Sequence, residues 1–126
     1  MELLQEELYK LLSSCSDNVY LDYLPATDEN DNELDYLNNI YINYSLKNIE
    51  DLAYKDSIIL EIEVVSNLIN KIKVQSKAVE VDKLLKNCWI ENCYSKIIRS
   101  NVYFITFDDL ESKQSMVTLS YKIYKY

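Results

Sequence analysis

The chain of 126 residues contains no glycine and no histidine, and this absence limits both its fold and its chemistry. Loops that cradle phosphate groups with a glycine fingerprint are excluded. Catalytic triads and metal sites that require an imidazole are excluded as well. We therefore expect a chain that is not an enzyme and has no cofactor or metal, whose function lies in its surfaces, that is, in assembly or binding.

The composition is that of a folded chain of single-domain size, with 48% hydrophobic and 27% charged residues. The net charge of −8 is unevenly divided, because residues 1–65 carry a net −12 and residues 66–126 a net +4. Two unlike halves suit a head-to-tail association in which different patches meet. An ordinary uneven surface accounts for the same numbers. The overall sign disfavours nonspecific binding to nucleic acid.

The three cysteines and the N-terminal segment indicate an intracellular protein. Cys15, Cys88 and Cys93 form no CxxC pair, so we expect free thiols in a reducing compartment. The segment MELLQEELYKLL predicts a charged amphipathic helix and lacks the features of a signal peptide. The apolar runs are too short to span a membrane. We expect a soluble protein made in the cytoplasm, without a membrane partner.

Hydrophobic periodicity predicts two amphipathic helices. The first covers Glu2 to about Ser13, with leucines on one face and glutamates early, where the helix dipole favours negative charge. The second covers residues 68–87, where Ser66 or Asn67 can cap it. Its apolar stripe is formed by Val74, Ala78, Val81, Leu85 and Cys88.

Alternating apolar residues predict strands at 19–24, 40–46, 56–65, 102–107 and 115–126. Residues 47–55 and 89–100 are predicted to be connections, and the last two strands an antiparallel hairpin. Because the strands cluster, the fold class is predicted to be α+β, with an antiparallel or mixed four- to five-stranded sheet. The two helices are expected to pack on one face of this sheet, in a single domain over 1–126.

Residues 27–39 (TDENDNELDYLNN) are predicted to form an acidic surface loop. The oxygens resemble the start of a calcium loop, but Glu33 stands at the sixth position and Asn39 at the twelfth, where glycine and glutamate are needed. A solvated loop is therefore favoured over a calcium site. A third alternative is a loop that becomes ordered against a neighbouring subunit. Leu34, Tyr36 and Leu37 are expected to touch the body of the domain.

Glu61 and Glu63 lie on one face of the best-defined strand. Unpaired carboxylates are costly to bury. This face is therefore expected to see water, to line a channel, or to meet basic residues of another chain. Lys71, Lys73 and Lys77 are the candidate partners, and the exposed sheet face of a monomer is the alternative.

Two further features favour structural interpretations. Asp108 and Asp109, with Glu111, would be paired carboxylates for acid catalysis or a metal. Adjacent acids in a hairpin turn are more often solvated turn formers, which we favour. Trp89 follows the apolar helix and is predicted to close the core, in preference to forming a binding surface with Tyr94.

The order of elements resembles that of the tail terminator (tail-completion) proteins of tailed bacteriophages and phage-tail-like bacteriocins. The likeness runs through the leucine-rich first helix, IYINYSLKN, SIILEIEVVSN, the helix KVQSKAVEVDKLLKN, and the closing NVYFITFDD and SMVTLSYKIYKY hairpin. It covers nearly the whole chain as a pattern of elements, without a signature motif. The missing glycines depart from the pattern, because many relatives use glycine in turns.

This resemblance implies a non-enzymatic virion assembly protein. It would form a ring, expected to be hexameric, that caps the head-proximal end of the tail tube, stops tube polymerisation and joins the neck, collar or sheath. Its partners would be copies of itself, the tail tube protein, and a neck, collar or sheath protein. It would be made in the bacterial host cytoplasm and incorporated into a phage or phage-tail-like particle.

DNA would pass through such a ring without specific binding, so an acidic lumen is expected. The candidate interface or lumen residues are Asp28, Glu29, Asp31, Glu33, Glu61, Glu63, Lys71, Lys73 and Lys77. Two alternatives remain open: another head–tail neck connector or stopper protein, and a small acidic inhibitor or binding module that mimics DNA.

Overall fold

The computed structural model describes residues 2–25, 33–51 and 56–126, which form two α-helices, two short 3-10 turns and six strands. The helices are α1 (Glu2–Ser13) and α2 (Lys71–Leu85), and the 3-10 turns cover Leu68–Asn70 and Glu91–Cys93. The strands are β1 (Val19–Leu21), β2 (Tyr41–Asp51), β3 (Asp56–Asn67), β4 (Trp89–Ile90), β5 (Ser95–Asp109) and β6 (Gln114–Lys125).

All six strands form one sheet in the order β1-β2-β3-β6-β5-β4. β1 runs parallel to β2, and every other neighbouring pair is antiparallel, so the sheet is mixed. The prediction of an α+β fold with two helices and a β5–β6 hairpin is confirmed. The predicted count of four to five strands is wrong, because β4 has only two residues and such a strand leaves no alternation to detect.

Both helices pack on the same face of the sheet. The Tyr44 hydroxyl donates to the carbonyl of Gln5 in α1 at 3.1 Å. The Tyr121 hydroxyl donates to Asp82 of α2 at 2.7 Å. Strand register places Tyr44 and Tyr121 on one face of the sheet. Across β3, Tyr44 aligns with Leu119 of β6, and Leu119 lies two residues before Tyr121 and so on the same face. The core between sheet and helices includes the fully buried Leu8, Leu12, Leu60, Ile62, Val74, Leu85, Leu119 and Ile123.

Two predicted connections are partly strand. Residues 47–51 continue β2, with a register irregularity between Lys47 and Glu50, so the prediction of a connection from residue 47 is wrong there. β5 begins at Ser95, within the predicted connection 89–100. In both places β3 or β6 supplies a long antiparallel neighbour that holds the chain extended despite weak local alternation.

Two other predicted elements are shorter in the structure. β1 ends at Leu21 instead of residue 24, because Asp22 adopts a left-handed conformation with φ of 70°. The second helix starts with a 3-10 turn, where the side chain of Asn67 accepts a hydrogen bond from the Ile69 amide at 3.1 Å. It ends at Leu85, two residues before Asn87, whose φ is 56°.

Residues 33–39 cover one end of the other sheet face. Leu34 packs with Tyr41 and Val65 in a second apolar cluster, to which the half-buried Tyr36 belongs. The two predicted contacts of Leu34 and Tyr36 are therefore confirmed. Leu37 is 55% exposed, so the predicted contact of its side chain is wrong.

Because the chain has no glycine, residues with a Cβ atom must form its left-handed turns, and among the described residues Asp22, Asn87, Tyr94 and Lys113 take this conformation. For an L-residue with a Cβ atom this conformation costs roughly 1–2 kcal/mol. Lys113, with φ of 55°, lies in the exposed turn between β5 and β6. The turns of this protein therefore carry backbone strain that glycine would relieve.

We expect Lys113→Gly to raise the free energy of unfolding by about 0.5–1 kcal/mol. Relief of the left-handed conformation outweighs the greater chain entropy that glycine has in the unfolded state. Urea denaturation followed by circular dichroism measures the change. The same substitution at exposed Lys122, inside β6 with a negative φ, is the matched control and should lower stability by roughly 0.5–1 kcal/mol. A stability loss at both positions would contradict the strain.

Candidate functional site

The sheet face opposite the helices is polar in its middle. Across the strands, Asn43 of β2 aligns with Glu63 of β3, and Glu63 aligns with Thr118 of β6. The next row on the same face contains Ser45, Glu61 and Ser120. Helices α1 and α2 lie on the opposite side, so we call this surface the bare face.

Glu61 and Glu63 are brought together on the bare face, as their spacing predicts. Both are half-buried. Glu61 accepts from Lys47 of the neighbouring strand at 3.4 Å, and 29% of the Glu61 side chain is exposed. Such a surface pair contributes at most about 1 kcal/mol. Among the described residues, Glu63 has no ion-pair partner.

The far end of the bare face is basic. Lys122 aligns with Ile59 on one side and Ile98 on the other, and Lys96 aligns with Tyr124. Ile105 and Phe107 on β5 belong to this face and are 49% and 60% exposed. The bare face therefore combines carboxylates, lysines and exposed apolar side chains.

The three lysines proposed as partners of Glu61 and Glu63 lie on α2, on the other side of the sheet. Lys71 donates to Asp108 Oδ2 at 2.6 Å. Lys77 donates to the carbonyl of Cys15 at 2.7 Å, which ties α2 to the end of α1, and pairs with Glu80 at 3.1 Å. Lys73 is exposed and has no ion pair within the described part of the chain. No pairing of these lysines with Glu61 or Glu63 occurs inside one chain.

The acidic loop is described only from Glu33 onwards, and Glu33 is exposed. Asp28, Glu29 and Asp31 lie outside the described residues, as does most of the stretch that resembles a calcium loop. In the described ranges, no group of three or more cysteine, aspartate or glutamate side chains is arranged to hold a metal ion.

The two acids before the hairpin turn have local partners. Asp109 Oδ1 accepts from the amides of Glu111 and Ser112 at 3.0 and 3.3 Å. The hydrogen bonds from Lys71 and Ser115 lower the pKa of Asp108, and those from Ser112 and Glu111 lower the pKa of Asp109. The interpretation as a turn former is confirmed for Asp109, whereas Asp108 lies within β5 and binds Lys71 and Ser115 instead of the turn.

A buried ionic network beneath α2 was missed by sequence reasoning. Asp82 is 6% exposed and lies on the face of α2 that packs against the sheet. Its Oδ1 accepts from the Tyr121 hydroxyl at 2.7 Å and from Arg99 Nε at 3.1 Å, and its Oδ2 accepts from Arg99 Nη2. The Arg99 guanidinium also lies 4.1 Å from the centre of the Tyr103 ring.

Two sequence signals pointed to this network. Asp82 follows Val81 directly and stands four residues after Ala78, so it borders the apolar stripe of α2. Arg99 is the single arginine of the chain. A carboxylate beside a buried stripe requires a partner, and an arginine is the side chain best suited to bind it through two hydrogen bonds.

The network sets the ionisation of its members. Burial opposes the charged form of Asp82, but the hydrogen bonds from Arg99 and Tyr121 outweigh it and hold the pKa of Asp82 below its ordinary value. Burial and the hydrogen bond to the Asp82 carboxylate raise the pKa of Tyr121. Asp82 is therefore an anion that anchors Arg99 at the rim of a groove between α2 and β5.

This groove between α2 and β5 is basic and partly apolar. Its lining combines three cations with exposed apolar groups of both elements. The cations are Lys83, Lys86 and Arg99, and the apolar residues are Val79, Val102 and Phe104. Lys83 and Lys86 are exposed and have no ion pair among the described residues. Asp82 is the only acid in the lining and is already bound to Arg99.

Trp89 lies at the surface, so its predicted place in the core is wrong. It is 48% exposed, and its ring centre lies 6.3 Å from that of Tyr126. The reason is its position on β4, where it aligns with Lys96 of the bare face instead of pointing towards the helices. Tyr94 is 66% exposed.

The cysteines are free thiols, as predicted. Burial raises the pKa of all three, Cys15, Cys88 and Cys93. A raised thiol pKa lowers the fraction of thiolate, the reactive form.

No protein-family model matches the chain, and no curated protein matches it significantly. Within the described ranges, neither helix has the length and apolar content needed to cross a membrane.

We expect Asp82→Asn to lower the free energy of unfolding by about 2 kcal/mol at neutral pH, because Arg99 and Tyr121 lose an ionised acceptor. Since the folded-state pKa of Asp82 is lowered, its contribution is complete above the ordinary aspartate value of 3.8 and is lost as the pH falls through the folded value. Urea denaturation at several pH values measures both effects.

The difference between wild type and Asp82→Asn should therefore shrink towards zero in acid. Glu91→Gln, at an exposed site, serves as the control and should change stability little at any pH. A difference that stays constant down to strongly acidic pH would show that the charge of Asp82 is not responsible.

Proposed function

We propose that this chain is a structural assembly protein whose copies form a ring at the head-proximal end of a phage or phage-tail-like tail tube, as tail terminators do. The ring would stop tube polymerisation and join the tube to a neck, collar or sheath protein. The observation that carries the proposal is the one-sided sheet, with both helices on one face and a charged, partly apolar bare face on the other. The resemblance in element order supports the same function.

In a ring, the two faces of this sheet would have different positions, one outside and one inside. Closed rings are built from interfaces that join two unlike patches. With the helices on the perimeter, the bare face is turned to the centre, where Glu61 and Glu63 face any passing DNA. Carboxylates in such a channel repel phosphate and keep DNA from being held.

The alternative of a DNA-mimicking inhibitor requires a surface on which acids are concentrated. In the described residues of the bare face, Glu61 and Glu63 share the surface with Lys47, Lys96 and Lys122. This mixture fits a channel wall or an interface better than it fits an imitation of a phosphate backbone.

The state of assembly tests the proposal. Native mass spectrometry and negative-stain electron microscopy should show sixfold rings, and adding the rings to polymerising tail tube protein should stop tube growth. A monomer at all concentrations, with and without tube protein, would rule the proposal out.

The lumen assignment predicts a change in DNA binding. Glu61→Lys combined with Glu63→Lys should bind a short DNA duplex at least tenfold more tightly than wild type at low salt, because every copy adds cations to the channel. Fluorescence anisotropy with labelled duplex measures the affinity. Glu91→Lys combined with Glu111→Lys changes the net charge equally at exposed sites off the bare face. Equal gains in both variants would contradict the lumen assignment.

A further inference from the structure

At one side of the sheet, the long strand β5 is paired with β6 on its inner side but has a strand partner along only a small part of its outer side. β4 aligns only with Ser95 and Lys96 of β5, and the Ile97 amide donates to the carbonyl of Cys88 at 2.8 Å. From residue 98 to residue 109, no strand among the described residues pairs with the outer side of β5. These twelve residues of backbone form an open edge, which the register irregularity between Arg99 and Phe104 divides into a short segment at 98–99 and a regular segment at 104–109.

The opposite side of the sheet has a second open edge. β1 aligns with β2 at Ile42, Asn43 and Tyr44, and the Asp22 amide donates to the carbonyl of Tyr44 at 2.7 Å. From residue 45 to residue 51, the described part of the chain leaves the outer side of β2 without a strand partner. These seven residues span about 24 Å at the usual rise of a strand.

Exposed apolar side chains lie along the edge of β5 and beside β1, which borders the open part of β2. On β5 these are Val102, Ile105 and Phe107, with 66, 49 and 60% exposure. Beside β1, they are Tyr9 and Leu21, which line a shared groove and are 49 and 39% exposed. A long edge with exposed apolar residues is a template for pairing with another strand.

The charges that have no ion pair among the described residues differ in sign beside the two edges, whereas Arg99, Lys10 and Lys47 are paired with Asp82, Glu7 and Glu61. The groove along β5 contains Lys83, Lys86 and Arg99. At the other border, Glu6 of α1, Asp17 and Asp22 are exposed and have no ion pair among the described residues. Opposite borders of this kind attract each other when two copies lie side by side.

We propose that the open edge of β5 in one copy pairs with the open edge of β2 in the next copy. This inference rests on the proposed ring and specifies its subunit interface. The two edges are unlike, so each copy uses each edge once, and the series closes when the rotations complete a full turn. Extending a sheet keeps its faces, so the bare faces of successive copies join into one inner wall.

The proposed pairing also changes which cations are expected to meet the acids of a neighbouring copy. Lys71 and Lys77 are already bound inside the chain. The cations available to a neighbour's acids include Lys73 and the groove residues Lys83 and Lys86, which are exposed and have no ion pair among the described residues, whereas Arg99 is bound to Asp82.

Hydrogen–deuterium exchange of the ring tests the pairing directly. Strand amides point alternately to the two sides, so about half of those in the regularly paired segments 104–109, 45–47 and 50–51 face the open edges. In the ring these amides should exchange at least tenfold more slowly than in the dissociated protein. Amides of β6 serve as the internal control, because this strand is paired on both sides within one copy.

Ile105→Lys tests the pairing by mutation, because it places a charge at the open edge of β5. The Ile105 side chain is about half exposed in a single copy, so the substitution should not disturb folding. It should raise the dissociation constant of the ring at least tenfold in analytical ultracentrifugation. Leu37→Lys, at a residue 55% exposed in the turn before β2, should leave the constant within twofold. Circular dichroism and thermal melting confirm that both variants fold.

The possible outcomes distinguish a failure of the proposed edge pairing from a failure of the proposed function. Rings whose edge amides exchange as fast as in the dissociated protein would overturn the pairing and leave the ring proposal intact. Equal dissociation by Ile105→Lys and Leu37→Lys would also contradict the pairing. A protein that forms no ring, alone or with tube protein, would overturn the proposed function and the pairing with it.

Discussion

Burial of a single face of β3 and β6 beneath two helices is the constraint on which the rest of the structure depends. Alternate residues of these central strands, such as Leu60, Ile62 and Leu119, are fully buried against α1 and α2. Each side chain of this kind contributes about 1.5–3 kcal/mol when it is removed from water. Because both helices lie on one side, the other sheet face is covered by no helix, and among the described residues only 33–39 pack over one end of it. The bare face is thus a direct result of where the core forms.

Polar interactions contribute unequally to this arrangement. The surface pairs of Lys47 with Glu61 and of Lys77 with Glu80 are exposed to solvent and contribute little. Asp82 differs because it is enclosed by α2 and β6 and bound to Arg99 and Tyr121. A buried carboxylate that loses its partners retains its desolvation cost. This network therefore fixes the position of α2 over the sheet and of Arg99 beside the edge of β5.

The surfaces left by this fold are the basis of both proposals. The bare face is suited to a channel wall, and the two open edges are suited to joining copies side by side. Neither proposal requires a reactive group.

The sequence by itself determined both helices, the buried stripe of α2, the pairing of β5 with β6 and the shared face of Glu61 and Glu63, because periodicity is a local property. It could not show that β2 extends through residue 51 or that β5 starts at Ser95, since a paired neighbour holds those residues extended. It also could not place Trp89, or show that Lys71 binds Asp108 and that Asp82 binds Arg99. These features depend on contacts between distant residues, and only the tertiary structure decides which distant residues meet.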